Sequence, residues 1–310
     1  MSAKFRLYPD CKLVRGKKRD AIYDLTRNGI YIVPHEISRH FMEDTIDMSS
    51  LPDDKRHECT DFLLENELGR FDMPGEIIAL PDEFISPSII SNAIIDIGTT
   101  DLPLDRIAAE LSDLVCESVF LRFVDGFSFE HVIQCSEHFL SLSMSSIDIG
   151  LQYEDGIERY LDDIVEKIHL CSRILIVNSP FAKTDNAFMG VPVRYIENGY
   201  SCKACRPLDY SIFANANLNL YYESLHHNNC LHGKVSIDQY GNVRNCPELD
   251  TVFGNVNDKS LSGIISDSGF RKYWDKNKDN AGKCGDCELR YACQHCLFTA
   301  GTCTYNVYSD

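Results

Sequence analysis

Nine of the fourteen cysteines lie between Cys202 and Cys303, several at the spacing of metal-ligating thiolates. Cys284-Gly-Asp-Cys287 and Cys293-Gln-His-Cys296 form two C-x-x-C pairs within thirteen residues. Thiolates so spaced can grip one ion from a single turn, with the intervening amides directed at sulfur. Cys303 follows the pairs, and Cys230 and Cys246 precede them. Between the latter two, Lys234–Asp238 and Asn242–Arg244 predict a β-hairpin turning at Gln239-Tyr-Gly241, which would bring its flanking cysteines side by side. Four thiolates suit zinc and iron–sulfur centres alike, so spacing leaves the metal open. Cys11, Cys59, Cys116, Cys135 and Cys171 are scattered along the chain. They read as small buried hydrophobes.

Other chemical signatures are weaker. Cys202-Lys-Ala-Cys205 fits a redox pair, an extra metal grip or two plain loop thiols. His35-Glu-Ile-Ser-Arg-His40 is one residue longer than a zinc-protease helix. At 3.6 residues per turn its imidazoles would point apart, and both histidines read as ordinary surface residues. The sequence has no Gly-rich phosphate loop ending in Gly-Lys-Ser or Gly-Lys-Thr and no Gly-x-Ser-x-Gly elbow. No catalytic residue is assigned.

A scaffold must position these thiols, and 310 residues at 44% hydrophobic content can supply two or three domains. Residues 1–75 predict short strands over Lys4–Tyr8, Lys12–Val14, Ala21–Leu25 and Gly29–Val33. Helices follow from Pro34 to Phe41 and from Asp53 to Leu68, the second stopped by Gly69. Small strands followed by helices resemble a winged-helix domain. Residues 76–212 alternate strand and helix. The strands are Ala93–Ile97, Ser118–Val124, Ser146–Gln152 and Ile174–Val177, and the helices Leu104–Val115, Phe129–Leu140 and Ile157–Cys171. About four such units predict a parallel sheet, as a partial (β/α) barrel or open sheet. Residues 213–310 are loop-rich and poor in core-forming side chains, so metal ligation is expected to stabilise them. The fold class is α/β.

Charge narrows the partners. A net charge of −17 argues against nucleic acid and anionic membranes, which reward a basic face. No apolar run approaches the roughly 20 residues of a membrane span. The basic start has no apolar signal region. The expected compartment is the cytoplasm, where thiols stay reduced.

The cysteine series resembles the SPASM domain, the auxiliary-cluster module of peptide-modifying radical enzymes. The Cys293–Cys296 spacing is one residue shorter than that family's pattern, and Phe253-Gly-Asn-Val256 matches its linker. More closely, Leu225-His-His-Asn-Asn-Cys230, Ser236-Ile-Asp238, Asn245-Cys-Pro247 and Cys287-Glu-Leu-Arg-Tyr-Ala-Cys293 resemble the grasp-with-spasm peptide maturases. Val14-Arg-Gly16 and Asp24-Leu-Thr-Arg27 extend that resemblance over nearly the whole chain.

The resemblance implies two metal sites. Cys284, Cys287, Cys293 and Cys303 would form the first. Cys230, Cys246 and Cys296 would form most of the second, with His227 preferred as fourth ligand and His226, Cys202 or Cys205 as alternatives. It favours two [4Fe–4S] clusters, with zinc as the alternative. Radical enzymes carrying this module place C-x3-C-x2-C after the first barrel strand, where this chain has Asp96-Ile-Gly-Thr-Thr-Asp101. The partial match Asn198, Cys202, Cys205 lacks the first thiol. S-adenosylmethionine is therefore not expected as a cofactor. The implied partners are a precursor peptide leader and an ATP-grasp ligase. The leader would add as a strand along Ala21, Ile22, Tyr23, Asp24 and Leu25, drawn by the basic turn Arg15–Arg19. The implied role is a non-catalytic adaptor with a leader-recognition domain. The alternative is a cluster-dependent redox enzyme acting on the peptide itself.

Overall fold

The computed structural model describes residues 4–71, 83–140, 144–200, 216–294, 296–297 and 305. They fold into two compact units of discontinuous chain. The first draws on spans 1–84, 208–230 and 276–310, and the second on 85–207 and 231–275. The cysteine-rich region is thus shared between the units.

In the first unit, β1 (Lys4–Leu7), β2 (Cys11–Val14), β3 (Arg19–Asp24) and β4 (Gly29–Pro34) open the chain. Next come α1 (His35–Ser38), β5 (Phe41–Met42), β6 (Thr45–Asp47), α2 (Asp53–Glu65) and β7 (Gly69–Phe71). β2, β3 and β4 form an antiparallel meander, and the other four strands a second sheet in the order β5-β6-β1-β7. Phe5, Leu7, Ile22, Ile46 and Leu63 fill the core between the sheets and α2. α2 ends earlier than the sequence predicts. Glu67 takes a left-handed φ of 50° that turns the chain out of the helix. Gly69 has another task, lying opposite Leu7 in β7, where a Cβ would sit 2.0 Å from the Arg6 carbonyl oxygen.

The second unit begins with β8 (Asn92–Ile97), α3 (Leu104–Asp113), β9 (Ser118–Phe123), α4 (Phe129–Leu140) and β10 (Ser146–Gln152). α5 (Glu158–Lys167), β11 (Cys171–Val177), β12 (Lys183–Asn186) and β13 (Pro192–Tyr195) complete its first span. After α6 (Leu218–His226), which belongs to the first unit, the chain returns. β14 (Lys234–Ile237), β15 (Asn242–Arg244), β16 (Gly254–Asn255), α7 (Leu261–Ile265) and α8 (Ser268–Arg271) then follow.

One sheet organises this unit, in the order β12-β13-β11-β10-β9-β8-β14-β15-β16. From β13 to β14 every pairing is parallel, and both flanks are antiparallel. β12 and β16 end the order, so the sheet is open among the described residues. Ala93, Ile95, Val119, Leu121, Ile147, Ile149, Ile174 and Ile176 alternate onto the face covered by the helices. Cys171 opens β11 instead of closing α5, because its position belongs to the inward set with Ile174.

The hairpin expected between Cys230 and Cys246 is present as β14 and β15. Its setting differs from the metal-dependent region predicted. β14 pairs in parallel with β8, and Val235, Ile237, Val243, Leu261, Ile264, Phe270 and Trp274 join the main core. Residues 231–275 therefore share the second unit's hydrophobic core.

Candidate metal centre

The cysteine loop belongs to the first unit and is built from successive tight turns. Gly282, at φ 51°, opens a 3-10 turn that ends on Cys284. The Cys284 amide donates to the Ala281 carbonyl (3.0 Å), the Cys287 amide to the Cys284 carbonyl (3.1 Å) and the Cys293 amide to the Leu289 carbonyl (2.9 Å). The Leu289 amide donates to Cys287 Sγ at 3.4 Å, the amide-to-sulfur arrangement the spacing predicts. Cys287 and Cys293 are buried, and Cys284 and Cys296 half-buried. Burial pushes the Cys287 thiol up to about 12, against the pull of the Leu289 amide, and Cys293 and Cys284 push the same way. Two other thiols expected at the first site thus lie near enough to Cys287 to act on it electrostatically.

Sequence reasoning missed the residues that brace this loop. Lys278, buried, donates from Nζ to Asn229 Oδ1 (2.9 Å) and to the Cys293 carbonyl. Asn229 Nδ2 donates to the same carbonyl at 2.9 Å. The only hint was that Asn229 sits beside Cys230 in the motif already noted. Glu288, 1% exposed, pairs with Arg19 of β3 (Nε to Oε1, 2.6 Å). Arg19 Nη2 donates to the Tyr305 hydroxyl, which donates to Glu288 Oε1. The Tyr23 hydroxyl donates to the Glu288 carbonyl at 2.9 Å. Arg290 Nη1 donates to the Arg15 carbonyl (2.6 Å), and the Lys17 amide to the Asp286 carbonyl (2.9 Å). The loop is fastened to the turn and strand Arg15–Tyr23 by both backbone and side chains.

The remaining expected ligands are dispersed. Cys303, Cys202 and Cys205 lie outside the described residues. Cys230, whose amide donates to Asn228 Oδ1 (3.0 Å), belongs with His227 and Cys296 to the first unit, and Cys246 to the second. His226 ends α6 and His227 follows it, its ring 6.2 Å from that of Phe84. Among the described residues, no three His, Cys, Asp or Glu side chains gather closely enough to hold an ion. The chemistry of the described part of the first donor set nevertheless fits thiolate-bound iron–sulfur or zinc: Cys284, Cys287 and Cys293 lie in one loop, with an amide already aimed at one sulfur.

The predicted peptide edge needs correction. Ala21, Ile22, Tyr23 and Asp24 lie in the central strand of the meander, paired to β2 on one side and β4 on the other. The Leu25 amide bonds the Asp10 carbonyl, and all five residues are at most 2% exposed. A central strand has no edge to offer, and alternation within a short strand does not reveal its place in the order. The meander's outer strands are β2 and β4, and of these two only β4 lines a groove. The groove, of about 200 Å³, is lined by Ile32, Val33, Pro34, Ile37, Phe62 and Leu63, with Glu36, Lys55 and Glu58 at its polar positions. His35 is also more than a surface residue, since its Nε2 lies 2.9 Å from buried Asp20 Oδ1.

After β8, the place of the radical enzymes' cysteine triad is taken by polar side chains. Asp96 is clamped by Arg122 of β9 through two bonds of 2.6 and 2.8 Å. Gly98 lies so close under Gln239 that a Cβ would meet its Oε1 at 2.0 Å.

Comparison with known proteins agrees with the C-terminal chemistry. Residues 230–288 match the model of the SPASM family, described as an iron–sulfur cluster-binding domain. The match contains Cys230, Cys246, Cys284 and Cys287 and stops short of Cys293, Cys296 and Cys303. No curated protein matches the chain. The structure is mixed α/β with its SPASM segment towards the C-terminus, and no described helix is long and apolar enough to cross a membrane.

Proposed function

We propose that this protein is an accessory factor of peptide maturation, which binds a ribosomally made precursor peptide and carries iron–sulfur centres in its SPASM segment. The observation that carries this reading is a strand, β4, whose outer edge has no strand partner among the described residues and lies beside an apolar groove, in the same compact unit as the cysteine loop. An extended peptide can add to β4 through main-chain hydrogen bonds and place alternate side chains in the groove. Lys55 is paired with Glu36 and Glu58 at the groove, so the groove's apolar wall and the strand edge, more than charge, would carry recognition. Cys284, Cys287, Cys293 and Cys303 would hold one [4Fe–4S] cluster, and Cys230, Cys246, Cys296 and His227 a second. Bound clusters would supply structural cross-linking and electron storage. The partner implied by the resemblance is an ATP-grasp ligase that forms the cross-links in the peptide.

Two measurements test this. Anaerobically purified protein is expected to contain iron and acid-labile sulfide, and Cys284→Ser to lose one site's share. A zinc content without sulfide would replace the clusters with zinc. A peptide selected on the protein from a display library is expected to lose affinity at least tenfold with Ile32→Glu. Equal binding by that variant would rule out the β4 groove.

A further inference from the structure

β3 and β4 stand between the cysteine loop and the groove. Ala21 and Tyr23 point, with Val14 and Ile30, into a cluster containing Tyr221, Tyr291 and Ala292. Ile22 and Val33 point the other way, onto Phe41, Cys59 and Leu63, which also line the groove. Alternate side chains of one strand therefore reach opposite layers. On β4, Ile30 packs against Cys287 and Leu289, and Val33, three residues on and on the opposite face, lines the groove with Ile22. Polar contacts reinforce the link: Arg19 and Tyr23 both end on Glu288, the residue between Cys287 and Leu289.

The loop has little apolar cover of its own. Leu289, Tyr291 and Ala292 are its buried hydrophobic residues apart from cysteines. Its shape then depends on its turns, on polar braces such as Lys278, Asn229 and Arg19, and on whatever the thiols ligate. If the thiols are released and the loop shifts, Glu288 withdraws from Arg19, and the buried Tyr23 hydroxyl loses its acceptor. Both changes fall on the strand that backs the groove.

Resting on the reading above, we propose that metal occupancy of the Cys284–Cys293 loop controls the order of the β3–β4 edge, and through it the affinity for peptide. The loaded chain binds peptide tightly and the stripped chain weakly. Such coupling is reciprocal, so bound peptide retains the metal by the same factor.

Hydrogen exchange on the full chain tests this without needing a peptide. Protein reconstituted with iron and sulfide is compared with protein stripped by ferricyanide and EDTA, and with Cys284→Ser. Protection over residues 19–34 is expected to fall at least tenfold in both emptied forms, while residues 104–140 of the second unit stay protected. Unchanged protection at 19–34 overturns the coupling and leaves the peptide reading intact. Loss spread equally over residues 4–7 and 53–65 also overturns it, because the metal would then support the whole unit and not the edge. With the library-selected peptide as probe, stripping should weaken binding by about five- to 150-fold, the usual range of such coupling. Protection that follows the metal when no peptide can be selected would support the coupling and refute the peptide reading.

Discussion

Arg19 and Glu288 form an ion pair whose two members should respond unequally to removal. Glu288 is 1% exposed, whereas the Arg19 side chain is 29% exposed. Arg19→Met takes the cation from a carboxylate with almost no access to water. Losing one partner of a fully buried pair costs 3–5 kcal/mol, and partial solvent access at the Arg19 end places this case near about 3. Glu288→Gln keeps an acceptor for Arg19 and Tyr305 and removes only the charge. Arg19 can turn to solvent, so the cost is nearer ~1 kcal/mol. The assay is hydrogen exchange at β3 amides under conditions where reclosing outpaces exchange, so that protection reports the opening equilibrium. A loss of about 3 kcal/mol lowers protection by about 150-fold, and ~1 kcal/mol by about fivefold. Equal losses in the two variants, or a larger one in Glu288→Gln, would refute the view that the buried carboxylate is the costly partner.

Two further outcomes follow from burial and charge. Burial pushes Cys116 and Cys171 up to about 12 and Cys59 and Cys135 to about 11. Iodoacetamide at pH 8 should leave all four unmodified in the native chain and label them in urea, as read by peptide mass spectrometry. Asp238, at the β14–β15 turn, is held below the usual carboxylate range. Burial opposes this, and Asn242 and Arg244 overcome it by hydrogen bonding. A depressed folded value means the contribution is present above the unfolded value of 3.8 and is lost as pH falls through the folded one. Asp238→Asn should therefore lower stability at pH 7 and flatten the acid limb of a melting-temperature profile, with little difference from wild type at the lowest pH.

Local pattern made much of the architecture legible. The helix expected near Phe129–Leu140 and the strand expected over Ser146–Gln152 are both present. Their periods of 3.6 and 2 are written in consecutive side chains. Cysteine spacing identified the C-terminal chemistry, and the match over residues 230–288 supports it. Spacing works here because ligands on one turn must be close in sequence. It could not show that Lys278 and Asn229 converge on Cys293, since nothing local requires a lysine to be buried.

What the chain alone determined was therefore chemistry and periodicity: thiols placed to bind metal, repeated β–α units, and the absence of the radical enzymes' cysteine triad. Only the tertiary structure decided strand order. It put β3 at the centre of its meander, left β2 and β4 as the outer strands, and inserted β14 beside β8, a strand from the opposite end of the second unit. It also brought Arg19 to Glu288 across 269 residues. Strand order and long-range ion pairs depend on which surfaces bury best together, and that is settled by the packing of the whole unit, where neighbouring residues carry no record of it.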